Sequence, residues 1–271
     1  MSKYRVEETT DLERWDKLVD DSKQGTIFSK SIYLNSFGGK YRLLFVFKGN
    51  ELRAGIPLIL SEDEKSIILD DLVIYGGILF NKPTNKQNIA QQHSEQFRVS
   101  EFIAKYLIDE YQHVSIALHP SFIDIRSFLW VNYGKTDVPK YNVDIRYTSY
   151  LDISDFADNK LDNTVAYQNS STARRQEIRY AIRDGVFTEE SKDVEKFIDF
   201  YKQTISIDEV AEKESRFSDM KKIVTNLIKN DFGKIFFSYT KNGQLGSSAF
   251  FGIDNKRAYY IFGANDKNSY C

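Results

Sequence analysis

Apolar and polar positions change rhythm several times along the chain. Between Asp11 and Asp21, Trp15, Leu18 and Val19 share one side behind an acidic first turn, which predicts an amphipathic helix. "YRLLFVFKGNELRAGIPLIL" holds two apolar runs about Lys48-Gly49-Asn50, the pattern of a hairpin. "SIILDDLVI" predicts a further strand leading into Tyr75-Gly76-Gly77. Phe97, Phe102, Ile103, Tyr106 and Leu107 return to helical spacing, and "HVSIALHP" predicts a strand ended by Pro120. "DNKLDNTVAYQNSSTARRQEIRYAIRDG" is mostly helical in pattern, with a break expected near the serines and a stop at Gly185. Val194, Phe197, Ile198, Tyr201 and Ile205 mark another helix. Three strands follow, joined at Asn242-Gly243 and Asp254-Asn255, both dipeptides that favour tight turns.

Two of these stretches read alike. The first runs strand, "KGNEL", strand, "EDEK", strand, "YGG"; the second runs strand, "KNGQL", strand, "IDNK", strand, "FGA". Leu52 and Leu245 take matching places after the first turn, and Lys65 matches Lys256 at the second. The repeated order predicts a duplicated α/β unit with mixed sheets, a first domain over 1–145 and a second over 146–271. The competing reading is two unrelated antiparallel meanders. After "YGG" the first copy continues with a loop, a long helix and "HVSIALHP", whereas only "NDKNSYC" follows "FGA". The second domain is therefore expected to lack its last helix and strand.

Composition narrows the class. The 271 residues are 41% hydrophobic and 14% aromatic, which supplies a core and argues against disorder. A formal net charge of −2 gives no general attraction to nucleic acid or anionic membrane, so anion binding must come from local clustering. The single cysteine, Cys271, precludes a disulfide within the chain. With a polar amino terminus and no apolar run longer than "LLFVF", the expectation is a cytoplasmic protein without a membrane span.

Candidate chemistry is sparse. On a helix, Arg175, Arg179 and Arg183 fall at i, i+4 spacing, where each like-charged pair costs roughly 0.2–0.5 kcal/mol. Ile178, Ala181 and Ile182 would give that helix its buried side. One reading is a solvated basic face relieved by Asp184 and an Arg174–Glu177 pair. The other is a clamp for a diphosphate or carboxylate, since the guanidinium fork fits both groups. Asp70 and Asp71 end an apolar strand close to Gly76 and Gly77, whose lack of a side chain lets backbone approach a ligand. Neighbours on a strand point to opposite faces, so these aspartates would not flank one bond; a solvated turn is the plainer reading. His119, before Pro120, is a candidate acid or base or a hydrogen-bonded structural histidine. His93, His113 and His119 lack metal-ligand spacing, so no metal is expected. No phosphate loop, dinucleotide fingerprint or nucleophile elbow is present.

Taken in order, "GTIFSKSIYL", "ELRAGIPL", "YGG", "SIALHP", "SSTARRQEIRYAIRDGV" and "AYYIFGAND" resemble the tandem GNAT-like acyltransferases. These include the Fem-type transferases that add amino acids to peptidoglycan precursors, and related bacterial acetyltransferase-like proteins. Arg175, Arg179, Ala181 and Gly185 carry the most specific part of the resemblance, and the aromatic strand into Gly263-Ala264 the next. The resemblance implies two GNAT-like domains and a cleft where an amine attacks an activated acyl carbonyl without a metal. It implies acyl-CoA or another acyl donor as cosubstrate, and a small anionic acceptor such as a nucleotide-linked amino sugar or cell-wall precursor. Arg175, Arg179 and Arg183 would hold the acceptor's anion. Tyr33, Tyr75 and Tyr260 would line the cleft with Gly76, aromatic core packing being the alternative for each tyrosine. Asp70, Asp71 and His119 are the candidates for proton transfer. The segment that usually follows "GAND" in this family, the seat of donor pyrophosphate binding, is not matched here. Two alternatives stay open: a Fem-type enzyme using aminoacyl-tRNA, and a non-catalytic binding module.

Overall fold

A computed structural model describes residues 3–83, 87–204 and 214–269. The expectations for Ile205 and Cys271 lie outside these residues. The chain divides into two compact units, one of Met1–Asp144, Ser218–Leu227 and Asp254–Arg257, the other of Ile145–Phe217, Ile228–Ile253 and Ala258–Cys271.

The first unit begins with β1 (Tyr4–Glu8), α1 (Leu12–Asp21) and α2 (Ser31–Leu34). Helix α1 forms where its pattern places it. The Asp11 carboxylate accepts the Arg14 N–H at the amino end, and Trp15, Leu18 and Val19 are buried. Strands β2 (Lys40–Lys48) and β3 (Glu51–Leu60) pair antiparallel about Gly49, whose positive φ of 59° suits a tight turn. Next come β4 (Ser66–Ile67), β5 (Leu79–Phe80), α3 (Ile89–Glu110), β6 (His113–Val114) and α4 (Arg126–Leu129). The sheet order is β1-β2-β3-β4-β6, with β4 and β6 parallel and β5 paired to β3. Leu44, Val46, Ala54, Ile56, Leu58 and Leu60 pack on Val99, Ile103, Ala104 and Leu107 of α3.

The expected strand "SIILDDLVI" is not continuous. β4 meets β3 at Leu60↔Ile67, β5 meets it at Ala54↔Phe80, and residues 68–78 leave the sheet between these two stubs. Asp70 starts the departure: its carboxylate accepts the Leu72 N–H at 2.8 Å and its carbonyl accepts the Val73 N–H at 2.9 Å. This side-chain-closed turn competes with the ladder and wins. "HVSIALHP" is likewise regular strand only at its start, in β6.

The second unit holds α5 (Val165–Asn169), α6 (Thr172–Arg183), β7 (Phe187–Ser191) and α7 (Val194–Gln203). Helix α8 (Glu214–Lys229) has its Ser218–Leu227 portion in the first unit. β8 (Gly233–Tyr239), β9 (Leu245–Ile253) and β10 (Ala258–Asn265) complete a four-stranded sheet ordered β10-β9-β8-β7. Helix α7 lies on one face, with Phe197 against Phe250 at 6.2 Å between ring centres. The predicted break near the serines is real: Ser171 caps α6 by accepting the Arg174 N–H. Gly185 ends that helix at φ 76°, with the Val186 N–H returning to the Ala181 carbonyl.

Among the described residues, the two series share an order of helices and strands. β1, α1, α2, β2, β3 and β4 run in the same order as β7, α7, α8, β8, β9 and β10, with every neighbouring strand pair antiparallel in both. Among the described residues, the first series continues with a long helix and a strand parallel to its fourth member.

Candidate functional site

The excursion over residues 68–78 gathers several of the sequence candidates in the first unit. Tyr33 is fully buried, and its hydroxyl donates to the Leu72 carbonyl at 2.5 Å. Burial, and then the negative charge of Asp70, push its phenol far above the usual range. The Phe28 ring stands edge-on between Tyr33, at 5.1 Å, and Tyr75, at 6.1 Å. Tyr75 in turn lies 5.5 Å from the His119 ring. The Gly76 N–H donates to the Ala117 carbonyl at 3.1 Å, which ties the excursion to the chain just before His119. Tyr33, Asp70, Tyr75, Gly76 and His119 therefore form one cluster. Asp71 sits on its exposed side.

The adjacent glycines differ in use. A side chain at Gly77 would meet the Leu118 side chain at 2.8 Å and its backbone at 3.0 Å, whereas at Gly76 the nearest atom is 3.9 Å away. Gly77 serves the protein's own packing, whereas a side chain at Gly76 would make only ordinary contact with the Pro57 carbonyl. Where the excursion departs between β4 and β6, Pro57, Asp70, Val73, Gly76 and Ala117 line a cavity of about 10 Å³. That is room for at most about one water molecule.

His119 is 5% exposed and accepts the Ser121 N–H at Nδ1, at 3.1 Å. A neutral imidazole bound in this way carries its proton on Nε2 and is a hydrogen-bond donor there. Burial first, then the charges of Arg257, Lys256 and Lys23, pull its pKa down to about 4, so the ring is neutral at pH 7. The Ser121 hydroxyl lies 2.9 Å from Nδ1 and accepts from Gln24, whose own oxygen accepts from Ser22. Lys256 Nζ donates to the carbonyls of Ser22 at 2.6 Å and Val19 at 3.0 Å, at the negative end of the α1 dipole, and shares the first with the Gly25 N–H. Gln24, Ser121, Lys256 and Arg257 had no sequence signal beyond the match of Lys256 to Lys65. Ser121 is only two residues from His119, whereas Gln24, Lys256 and Arg257 come from segments distant in sequence.

The arginines lie in the second unit. Arg175 donates through Nη1 to the carbonyls of Gln168, at 2.8 Å, and Ser170, at 2.5 Å, and so fastens α5 to α6. Arg183 pairs with Asp184 at 2.8 Å and lies over the Tyr180 ring. Arg179 is exposed. The expected buried side of this helix is absent: none of its residues is buried, and Ile182 is 63% exposed. Tyr260 is exposed on the face of the second sheet away from α7, 5.5 Å from Phe251. Its hydroxyl lies across Gly263, where any side chain would overlap it. Thr188, Phe236, Ser238, Phe251 and Tyr260 line an open groove of about 480 Å³ on this face.

Among solved structures, the chain is similar to one described as FemX, with 11% identity, a TM-score of 0.53, and coverage of 97% of this chain and 81% of that one. The fold is tandem GNAT-like. A tandem GNAT protein from the clavulanic acid biosynthesis pathway, without AcCoA, matches at 10% identity and a TM-score of 0.39, over 98% of this chain and 80% of that one. No family model matches the sequence, and no curated protein matches it. In this tandem GNAT-like chain no described helix is long and apolar enough to cross a membrane. Among the described residues there is no group of three His, Cys, Asp or Glu side chains placed to hold a metal ion.

Proposed function

We propose that this chain is an N-acyltransferase that moves an acyl group from a thioester such as acyl-CoA to an amine on a small anionic acceptor, such as a nucleotide-linked amino sugar or a cell-wall precursor. The observation that carries this reading is the tandem GNAT-like fold over nearly the whole chain; the inference from fold to chemistry is one of resemblance. In the proposed reaction the neutral amine attacks the thioester carbonyl, the C–N bond forms as the C–S bond breaks, the sulfur leaves as thiolate, and the surplus amine proton passes to a base and from it to the thiolate. The two domains would span 1–145 and 146–271.

Within this reading, Asp70 or the exposed Asp71 takes the proton. His119, neutral at pH 7, supports Tyr75 and the excursion rather than acting as a base. Tyr75 and Gly76 border the acyl group and Tyr33 supports them. Arg179 carries most of the anion binding, because Arg175 and Arg183 already serve the Ser170 carbonyl and Asp184. Tyr260 is the aromatic candidate of the second domain. The cavity beside Asp70, at about 10 Å³, must open to admit a donor. Its small size favours a second reading, a binding module that holds the acceptor without a donor.

Incubation with radiolabelled acyl-CoA and a panel of amino sugar nucleotides tests the proposal. Label transfer insensitive to ribonuclease is the expected result. Transfer of a labelled amino acid that ribonuclease abolishes would assign the donor to aminoacyl-tRNA. Thermal stabilisation by nucleotide sugars alone, without transfer, would support the binding module. Arg179→Ala should weaken acceptor binding about tenfold with little change in Tm, as measured by calorimetry and thermal unfolding.

A further inference from the structure

A second feature of the first unit stands apart from the excursion. Helix α3 buries Val99, Ile103 and Leu107, and its other side presents Arg98, Glu101, Phe102, Lys105 and Asp109 along one stripe. Tyr4 of β1, Lys48 at the end of β2, and the turn from Trp130 to Lys135 after α4 wall this stripe on either side. The groove between them has a volume of about 580 Å³, within the range of small-molecule sites.

Its charge is unlike that of the whole chain. Lys3, Lys48, Arg98, Lys105 and Lys135 face it, against the carboxylates of Glu101 and Asp109, although the protein's formal net charge is −2. Glu95 neutralises Lys48 at 3.1 Å. No ion pair among the described residues neutralises Arg98, Lys105 or Lys135. Flat rings accompany the charge. Phe102 lies 5.6 Å from Tyr4, and Trp130 is 51% exposed with its indole braced by Phe97 at 5.5 Å and by the Arg126 guanidinium. A half-exposed indole held on one side by packing offers a stacking surface. Base-on-aromatic stacking is worth roughly 1–3 kcal/mol, and a guanidinium with free donors binds phosphate through charge-assisted hydrogen bonds.

We propose that this groove is a binding site for a nucleoside phosphate, its base stacked on Trp130 and its phosphates held by Arg98 and Lys105. The site is independent of the acyl-transfer reading and holds whether or not the chain is a transferase. A free nucleoside diphosphate and the adenosine phosphate portion of coenzyme A share this chemistry.

The two tryptophans make the test specific. Trp15 is fully buried and Trp130 half-exposed, so ligand-dependent quenching of tryptophan fluorescence reports on the groove. Titration with ADP, UDP, coenzyme A, inorganic pyrophosphate and adenosine should show quenching by the first three. Pyrophosphate and adenosine should each bind at least about tenfold more weakly, since each supplies half of the recognition. Tighter binding of coenzyme A than of ADP names the coenzyme as the source, and the reverse names a free nucleotide. The combined Arg98→Ala and Lys105→Ala variant changes two exposed positions, so it should keep its fold while losing about tenfold or more in affinity. Lys65→Ala, exposed and outside the groove, should bind as the unaltered protein does. Pyrophosphate binding as tightly as ADP would overturn the proposal and leave a non-selective basic patch. So would an unchanged affinity in the double variant, or no quenching and no calorimetric heat up to about 5 mM ligand.

Discussion

β3 and β9 occupy the same place in their two sheets and are built differently. β3 reads ELRAGIPLIL and is buried at every position from Ala54 to Leu60, because α1 lies on one side of its sheet and α3 on the other. β9 reads LGSSAFFGI and alternates buried and half-buried positions along its whole length. Sheets covered on both faces carry continuous apolar runs, and sheets covered on one face alternate. The strands themselves thus record how many layers each sheet has. The same contrast separates the fourth strands. β10 is continuous from Ala258 to Asn265, whereas its counterpart is cut into β4 and β5 by the excursion that carries Asp70, Tyr75 and Gly76. The repeated architecture is the background, and the candidate chemistry lies where one copy departs from it.

The largest test of this comparison is core truncation. Ile56→Ala in β3 should cost about 2–5 kcal/mol in urea unfolding, since Ile56 is 1% exposed beneath α3. Phe236→Ala on the open face of the second sheet should cost about 1 kcal/mol, chiefly its edge contact with Phe251 at 5.9 Å. Equal costs would mean that the second face is covered as well as the first.

The matched turns give a sharper contrast. Lys256→Met removes charged hydrogen bonds to the carbonyls of Ser22 and Val19 and should cost about 1.5–3 kcal/mol. Lys65→Met, at the corresponding turn, should stay within about 0.5 kcal/mol, because that side chain is exposed. Thermal unfolding of both variants checks the difference.

A further contrast is a pH dependence confined to the first unit. The folded-state pKa of His119, about 4, lies below its ordinary value of 6.5, so the unfolded chain binds a proton that the folded one refuses. Stability from this group is full above about pH 6.5 and falls as pH drops towards 4, at up to about 1.4 kcal/mol per pH unit. Urea midpoints at pH 7 and pH 5 should therefore converge in His119→Gln relative to the unaltered protein. An unchanged difference between the two pH values would remove His119 as the cause.

Much of the fold was legible because its determinants are local. Gly49, Asn242-Gly243 and Asp254-Asn255 mark turns by backbone chemistry, Asp11 and Ser171 cap helices, and Gly185 ends one. The split of the fourth strand was not legible. "SIILDDLVI" is as apolar as a strand, and only the Asp70 side chain closing on the Leu72 N–H turns the chain away. The gathering of Tyr33, Tyr75 and His119 was not legible either, since it depends on segments far apart in sequence. Helix α6 misled for another reason: Ile178 and Ala181 have helical spacing, but that side is only half-buried.

The two rims of the second sheet differ in a way that bears on handling. β7 carries Glu189 and Glu190, the second paired with Lys234 at 2.7 Å, and charged side chains of this kind blunt an edge strand. β10 has neither a charge nor a proline between Ala258 and Asn265, and no described strand takes its outer row of amides and carbonyls. Of the two margins of this sheet, β10 is therefore the one less defended by charge against pairing with a strand of another molecule.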